Sequence, residues 1–378
     1  MNNSLRILHV SEVHWGGVVT LLREFTREQV AAGHEVHVLS PPLATMADGV
    51  GVESWTVERS KPHTFWAAAR QLHRAVERHR PDVIHLHSFL AGFIARLPSV
   101  VAQRNRPGIV YQPHAWSFDL IRIPGASATV RVFERSALRR TDVIVGNCQD
   151  EVDEGVSAGI HLPAFVLGVA VRPEIYYPVD DLRRVGLRRQ LGIKRPHLLV
   201  CIGRLAWQKG QDVLVSEWER APLSESELVF VGPGDPSSLA SLAPLEWNRS
   251  IRWVGEHADI RPWLWAADLL LLPSRYETVA LVVAEALACG RPVIATAVNG
   301  AVATLLRGPS PPAGAVVPLG DMKRLLYEAG RRLLDPLLRQ REGEAAWQRA
   351  QAEFSPEAVS ARLEDAYRHA ILLSRGLI

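Results

Sequence analysis

DLLLLPSRYETVALVVAEALACGRPVI, residues 268–294, decides the fold class. Asp268–Leu272 reads as a buried strand and Pro292–Ala295 as the next, with a loop and a helix between them. Glu277 falls in the loop and Glu285 inside the helix, so two carboxylates flank the unpaired amides of the helix's first turn. Such a turn binds phosphate. One carboxylate can accept hydrogen bonds from ribose hydroxyls and the other from a sugar. On residue types and spacing this suits a nucleotide diphosphate sugar; the other reading is two exposed glutamates on a helix face.

The same strand, loop and helix unit recurs in both directions. Before residue 150 the strand candidates are Arg6–Val10, Glu35–Leu39, Val83–His87, Ile109–Tyr111 and Asp142–Val145. Helices Val19–Ala32, stopped by Gly33, and Trp66–His79 lie among them. After residue 196 come His197–Ile202, Glu227–Val231, Ile251–Val254, Asp268–Leu272, Pro292–Ala295 and Ala315–Val317. Alternating βαβ units predict an α/β protein with two Rossmann-like, doubly wound parallel-sheet domains facing a cleft. The expected boundaries are 1–166, a proline-bearing linker 167–196, and 197–356, with a C-terminal helix 357–378 completing the first domain. Two helices are expected near the end, the second opened by Ser355-Pro356-Glu357. The residues 308–314 read as a surface loop.

Length and composition agree with two soluble domains: 378 residues, 47% apolar and 22% charged. Forty-three basic against 40 acidic residues give a net charge of +3, too little for nucleic-acid binding by charge alone. Cys148, Cys201 and Cys289 form no C-x-x-C pair and read as buried thiols of a reducing compartment. With no signal peptide after Met1, and Leu264–Pro273 well short of the ~20 residues that cross a bilayer, the expected location is cytoplasmic. Basic helical stretches at Arg70–Arg80 and Arg131–Arg140 allow peripheral contact with anionic lipid at the inner face of the membrane. Arg183–Arg195 reads as a solvated helix.

Two further loops follow strands. Gly203-Arg204-Leu205-Ala206-Trp207-Gln208-Lys209-Gly210 places Arg204 and Lys209 where a leaving diphosphate could be held; a solvated basic turn is the other reading. Glu12-Val13-His14-Trp15-Gly16-Gly17 opens a helix with a glycine pair that lets a phosphate approach the backbone. It is not G-x-G-x-x-G, which disfavours a nicotinamide enzyme. Trp15, Trp116 and Trp207 lie in motif loops as stacking candidates for an acceptor, although core packing is the stronger expectation for each. Trp263 and Trp265 read as structural. Asp150–Glu154 reads as dipole-stabilising acidic residues of a helix's first turn. His85 and His87 share a strand face, but no third metal ligand is evident.

Taken together, these loops resemble the retaining glycosyltransferases of family 4, which have the two-domain GT-B fold, and the resemblance covers nearly the whole chain. It extends to His85–Gly92, Gln112–Phe118, Asp142–Val145 and Gly232–Asp235, and is strongest to bacterial enzymes of polysaccharide and natural-product glycosylation. It implies that Glu285 binds the ribose hydroxyls, Glu277 the donor sugar, and Arg204 and Lys209 the diphosphate. Gly16 and Gly17 pass close to the phosphates, and the Thr278, Val279, Ala280 and Leu281 segment adds backbone amides. His114 matches the family's active-site histidine, and backbone near Gly255–Asp259 grips the base. The implied reaction is metal-independent and needs no cofactor beyond the donor, a UDP-sugar. The acceptor is a hydroxyl on a lipid-linked sugar, polysaccharide precursor or natural product, and the leaving phosphate takes its proton. The chain departs from the family pattern at Thr278–Ala280, Leu167–Ala170, Ala303 and Leu90. A nucleotide-sugar epimerase or phosphorylase, and a degenerate nucleotide-binding partner protein, are the other readings.

Overall fold

A computed structural model describes residues 4–378 except 15, 44–45, 99, 102–105, 121–124, 278–279, 301–304 and 306–310. The chain divides into two compact units: Met1–Ala170 with Pro356–Ile378, and Val171–Ser355.

The first unit is built on a parallel sheet of seven strands: β1 Arg6–Ser11, β2 Glu35–Ser40, β3 Gly51–Ser54, β4 Val83–His87, β5 Gly108–Gln112, β6 Val143–Gly146 and β7 Ala164–Val166. Their order is β3-β2-β1-β4-β5-β6-β7. Helices cover both faces, so the central strands are apolar without alternation; every residue of β4, β5 and β6 is buried. The two strands that periodicity does not announce, β3 and β7, are the sheet's edges. They are four and three residues long; Gly51–Ser54 alternates half-buried with exposed, and Ala164–Val166 is apolar but too short to read as a strand.

The second unit repeats the plan with six strands: β8 His197–Ile202, β9 Ser226–Val231, β10 Ile251–Trp253, β11 Leu269–Leu272, β12 Val293–Thr296 and β13 Gly314–Val317. The order β10-β9-β8-β11-β12-β13 reverses direction between β8 and β11, as the first sheet does between β1 and β4. Ligands of open α/β sheets bind beyond the strand carboxyl ends at these reversals. The core of this unit is Leu199, Trp218, Phe230, Leu271, Ile294, Leu325 and their neighbours.

Three expectations need correction. The stretch 171–196 is part of the second unit, not a free linker. Its helix, Asp181–Gln190, is capped by Asp180 and is not merely solvated. Arg184 and Arg188 each donate to the buried Asp268, at 2.5 Å, and so fasten the helix to the foot of β11. Near the end there are three helices, Met322–Leu334, Pro336–Glu353 and Pro356–Ser374. Asp335 accepts from the Leu338 amide at 2.9 Å with proline at the next position, which ends one helix and starts another within three residues. The last helix opens at Pro356 and packs on β5, where a Cβ at Gly108 would meet the Ala370 backbone.

Candidate active site

In the second unit, the loops after the adjacent strands β8 and β11 are stitched together by side chains. Lys209 Nζ donates to both Glu277 oxygens, at 2.8 and 2.9 Å. Glu277 is 2% exposed and also accepts from Ser274 Oγ at 2.5 Å. Arg275 forms a two-pronged pair with Asp212, both distances 2.7 Å, and donates to the Trp207 carbonyl at 2.6 Å. Gln208 reaches the Tyr276 carbonyl at 3.1 Å. Gly210 is left-handed at φ 66°, and a Cβ there would collide with the Pro273 carbonyl, so only glycine lets the two loops touch.

The helix that follows, Leu281–Ala288, starts with the Val283 amide donating to the Ala280 carbonyl at 2.8 Å. Glu285 lies within it and accepts from Tyr176 Oη at 2.8 Å. Burial pushes the Glu285 carboxyl above its ordinary range, and the Tyr176 hydrogen bond only partly opposes this. Arg204 is exposed, and its carbonyl accepts from Gln211 Nε2 at 2.9 Å. Thr278 and Val279 lie outside the described residues, as do Trp15 and Ala303. Gly232 donates its amide to the Gly255 carbonyl at 2.8 Å, which brings the loops after β9 and β10 together.

Sequence reading separates Lys209 and Glu277 into different roles; the structure joins them in one ion pair. It also misses Tyr176, which lies in the stretch read as linker and which no pattern links to a residue 109 positions later. Ser274, Arg275 and Asp212 are likewise missed, although their polar types in strand-to-helix loops are the available signal.

In the first unit, Gly16 at φ 78° precedes the helix Gly17–Ala31, and its carbonyl accepts from the amides of Val19 and Thr20. Glu12 accepts from the amides of Leu90 and Ala91 at 3.0 and 3.1 Å, in the first turn of the helix Ser88–Ala95. A cavity of about 770 Å³ in the second unit lies at the foot of its sheet, lined by Asp268 and Arg339. One of about 730 Å³ in the first is lined by Glu12, His14, Gly16, Gly17 and Arg59.

His114 is buried at the end of β5 in a left-handed backbone conformation, φ 54°. Its Nε2 meets His87 Nδ1 at 3.0 Å, and burial pushes its pKa down to about 3. The third imidazole that the sequence does not reveal beside His85 and His87 is His9, across the β1–β4 register. Trp116 is a core residue whose indole donates to the Glu151 carbonyl at 2.7 Å, whereas Trp207 is exposed under the Arg275 guanidinium. Trp263 and Trp265 are buried. All three cysteines are buried free thiols, with pKa values pushed up to about 12 by desolvation.

Residues 16–164 match the family Glycosyl transferase 4-like domain, and residues 196–335 match Glycosyl transferases group 1. The chain is a two-domain glycosyltransferase. D-inositol 3-phosphate glycosyltransferase 1 of Catenulispora acidiphila is 28% identical over 402 residues, covering 96% of this chain and 92% of that one. A 41.2 kDa protein from the cps region of Klebsiella pneumoniae is 24% identical, covering 77% and 80%. The fold of this glycosyltransferase is shared with sucrose-phosphate synthase of Thermosynechococcus elongatus, with a TM-score of 0.81, 21% identity, and coverage of 98% and 100%. It is shared equally with Anabaena HepE in complex with UDP, with a TM-score of 0.79, 18% identity, and coverage of 96% and 99%. These are GT-B structures. No helix among the described residues of the transferase is long and apolar enough to cross a membrane.

Proposed function

We propose that the transferase moves a sugar, with retention, from a UDP-sugar to a hydroxyl of a lipid-linked sugar, polysaccharide precursor or natural product. The observation that carries this reading is the Lys209–Glu277 pair, which joins the loops after β8 and β11 at the sheet's reversal, with Glu285 on the adjoining helix. HepE has been solved with UDP and with UDP-glucose, which supports a uridine donor.

In this reading Glu285 accepts from the ribose hydroxyls in place of Tyr176. An ammonium has three donors; Lys209 spends two on Glu277 and keeps one for the diphosphate. Arg204 and the backbone where the helix Leu281–Ala288 begins complete its cradle. In the first unit, the cavity beside Gly16 and Gly17 receives the acceptor. The bond from sugar C1 to the diphosphate oxygen breaks, and the acceptor oxygen bonds to C1 on the same face. The acceptor's proton passes to the leaving phosphate oxygen, whose growing charge Arg204 and Lys209 stabilise. No metal and no further cofactor enters this scheme.

Calorimetric titration with UDP, GDP and ADP, without added metal, tests the reading. UDP is expected to bind the wild type, and Glu285→Ala to weaken it at least about tenfold, or roughly 1.4 kcal/mol, at unchanged circular dichroism. Absence of binding by all three nucleotides would overturn the site assignment.

We also propose peripheral membrane contact through the helix Thr64–His79, where Trp66, 81% exposed, shares a face with Arg70 and Arg74. Of the second basic stretch, Glu134 is buried and paired with Arg96 at 2.8 Å, so it is not a surface charge. Sedimentation with vesicles containing anionic lipid should fall about tenfold for a Trp66→Ser, Arg70→Glu, Arg74→Glu variant; equal sedimentation of both proteins removes the proposal.

A further inference from the structure

Four histidines cluster in the first unit, His9, His85, His87 and His114, and three of them are joined end to end. Gln29 Oε1 lies 2.8 Å from His9 Nε2, His9 Nδ1 lies 2.9 Å from His87 Nε2, and His87 Nδ1 lies 3.0 Å from His114 Nε2. His9 and His87 are fully buried, and His114 is 7% exposed.

The direction of donation follows from either end. Gln29 donates its amide Nε2 to Tyr367 Oη at 3.1 Å, which leaves Oε1 to accept from His9. A neutral imidazole has one donor and one acceptor nitrogen. His9 therefore accepts at Nδ1 from His87, and His87 accepts at Nδ1 from His114. At the far end, Asn147 Oδ1 accepts from Gln112 at 2.9 Å, and Asn147 Nδ2 donates to Glu151 Oε2 at 2.9 Å. That same Glu151 oxygen accepts from the Asn147 backbone amide at 2.7 Å, so it stays an acceptor. Asn147 thus presents its amino group to His114 Nδ1, at 3.4 Å, and again His114 must carry its proton on Nε2.

We propose that His9 and His87 are positioning residues, forming with Gln29 a buried neutral relay that locks His114 as its Nε2–H tautomer and holds the turn at the end of β5. This rests on the reading of His114 as the active-site histidine that the family resemblance implies. The turn needs holding, because His114 at φ 54° and Ala115 at φ 140° occupy backbone regions that side-chain-bearing residues avoid. Trp116, hydrogen-bonded to the Glu151 carbonyl, fixes its other end. With both ring nitrogens engaged, His114 neither takes nor gives a proton in the reaction; it acts by the position of its ring and backbone. Burial keeps all three imidazoles neutral near pH 7. His9, His85 and His87 could group around a metal ion, but all are fully buried and His9 and His87 already satisfy each other.

Long-range proton–nitrogen correlation spectra of the full chain between pH 5.5 and 8 test the relay. His9, His87 and His114 are each expected to show a protonated Nε2 and a bare Nδ1 throughout. A protonated Nδ1 or an imidazolium at His114 overturns the proposal, as does a shift of these signals on adding Zn²⁺. His87→Phe removes the acceptor of His114 and is expected to mix its tautomers and lower kcat about tenfold at unchanged UDP affinity. His87→Gln, which offers a carboxamide oxygen, should recover most of that loss. Mixed tautomers with full kcat would overturn the positioning role, and if His87→Phe fails to fold, the wild-type spectrum decides. A wild type with locked tautomers that binds no nucleotide would refute the transferase site and leave the relay standing.

Discussion

Lys209 and Glu277 show how far residue identity carries. Both are charged residues in loops after strands, and the resemblance assigns one to the diphosphate and the other to the sugar. In the folded chain they form one pair, with the Glu277 side chain 3% exposed and Lys209 23% exposed. Removing the lysine leaves a buried carboxylate without its cation. Lys209→Ala should therefore destabilise by about 2 kcal/mol, below the roughly 3–5 kcal/mol of a fully buried pair because Lys209 is partly solvated. Turnover should fall by a larger factor, about a hundredfold, because the leaving diphosphate loses a cation. Urea unfolding and initial rates on the same preparation separate the two effects. A variant with wild-type turnover removes Lys209 from the chemistry.

Elements depend on a few close approaches. The loops after β8 and β11 touch because Gly210 has no Cβ where the Pro273 carbonyl passes. Gly210→Ala adds both that collision and a left-handed strain of about 1 kcal/mol, so a loss of 2 kcal/mol or more is expected. Thermal unfolding checks it, and a Tm within a degree of wild type would show that the loops can separate without cost. Strand and helix positions in the centre of each sheet are legible from the chain, since continuous Val, Ile and Leu runs are what burial on both faces requires. The edge strands Gly51–Ser54 and Ala164–Val166 are not, because the first has no apolar run and the second is only three residues long.

At the scale of the whole molecule, the histidine cluster should set the response to acid. Burial lowers His9 to about 4 and His114 to about 3 from an ordinary 6.5, and holds His85 and His87 well below it. Between those values and 6.5 the unfolded chain binds protons that the folded chain does not, so stability falls as pH falls. Glu151 acts the other way: burial raises it from 4.5 to about 7, so between 4.5 and 7 the folded chain holds a proton that the unfolded chain has lost. Burial raises Glu12 and Glu285 as well, so four histidine protons against one to three carboxyl protons leave about one to three, a slope of roughly 1 to 4 kcal/mol per pH unit near pH 5.5. Denaturant midpoints at pH 5.5 and 7.5 should show this loss, and Glu151→Gln should steepen it. A midpoint independent of pH would show that the cluster is hydrated.

The chain by itself determined the two α/β units and the loops that carry Arg204, Lys209, Glu277 and Glu285. Each is written in local chemistry: apolar runs, caps, and charges placed after strands. Only the tertiary structure decided that Lys209 pairs with Glu277, that Tyr176 reaches Glu285, and that His9 completes a relay to His114. Those partners lie 68, 109 and more positions apart or on different strands, and they meet because of strand order and register. Residue periodicity encodes which face of a strand is buried; it does not encode which strand lies beside it.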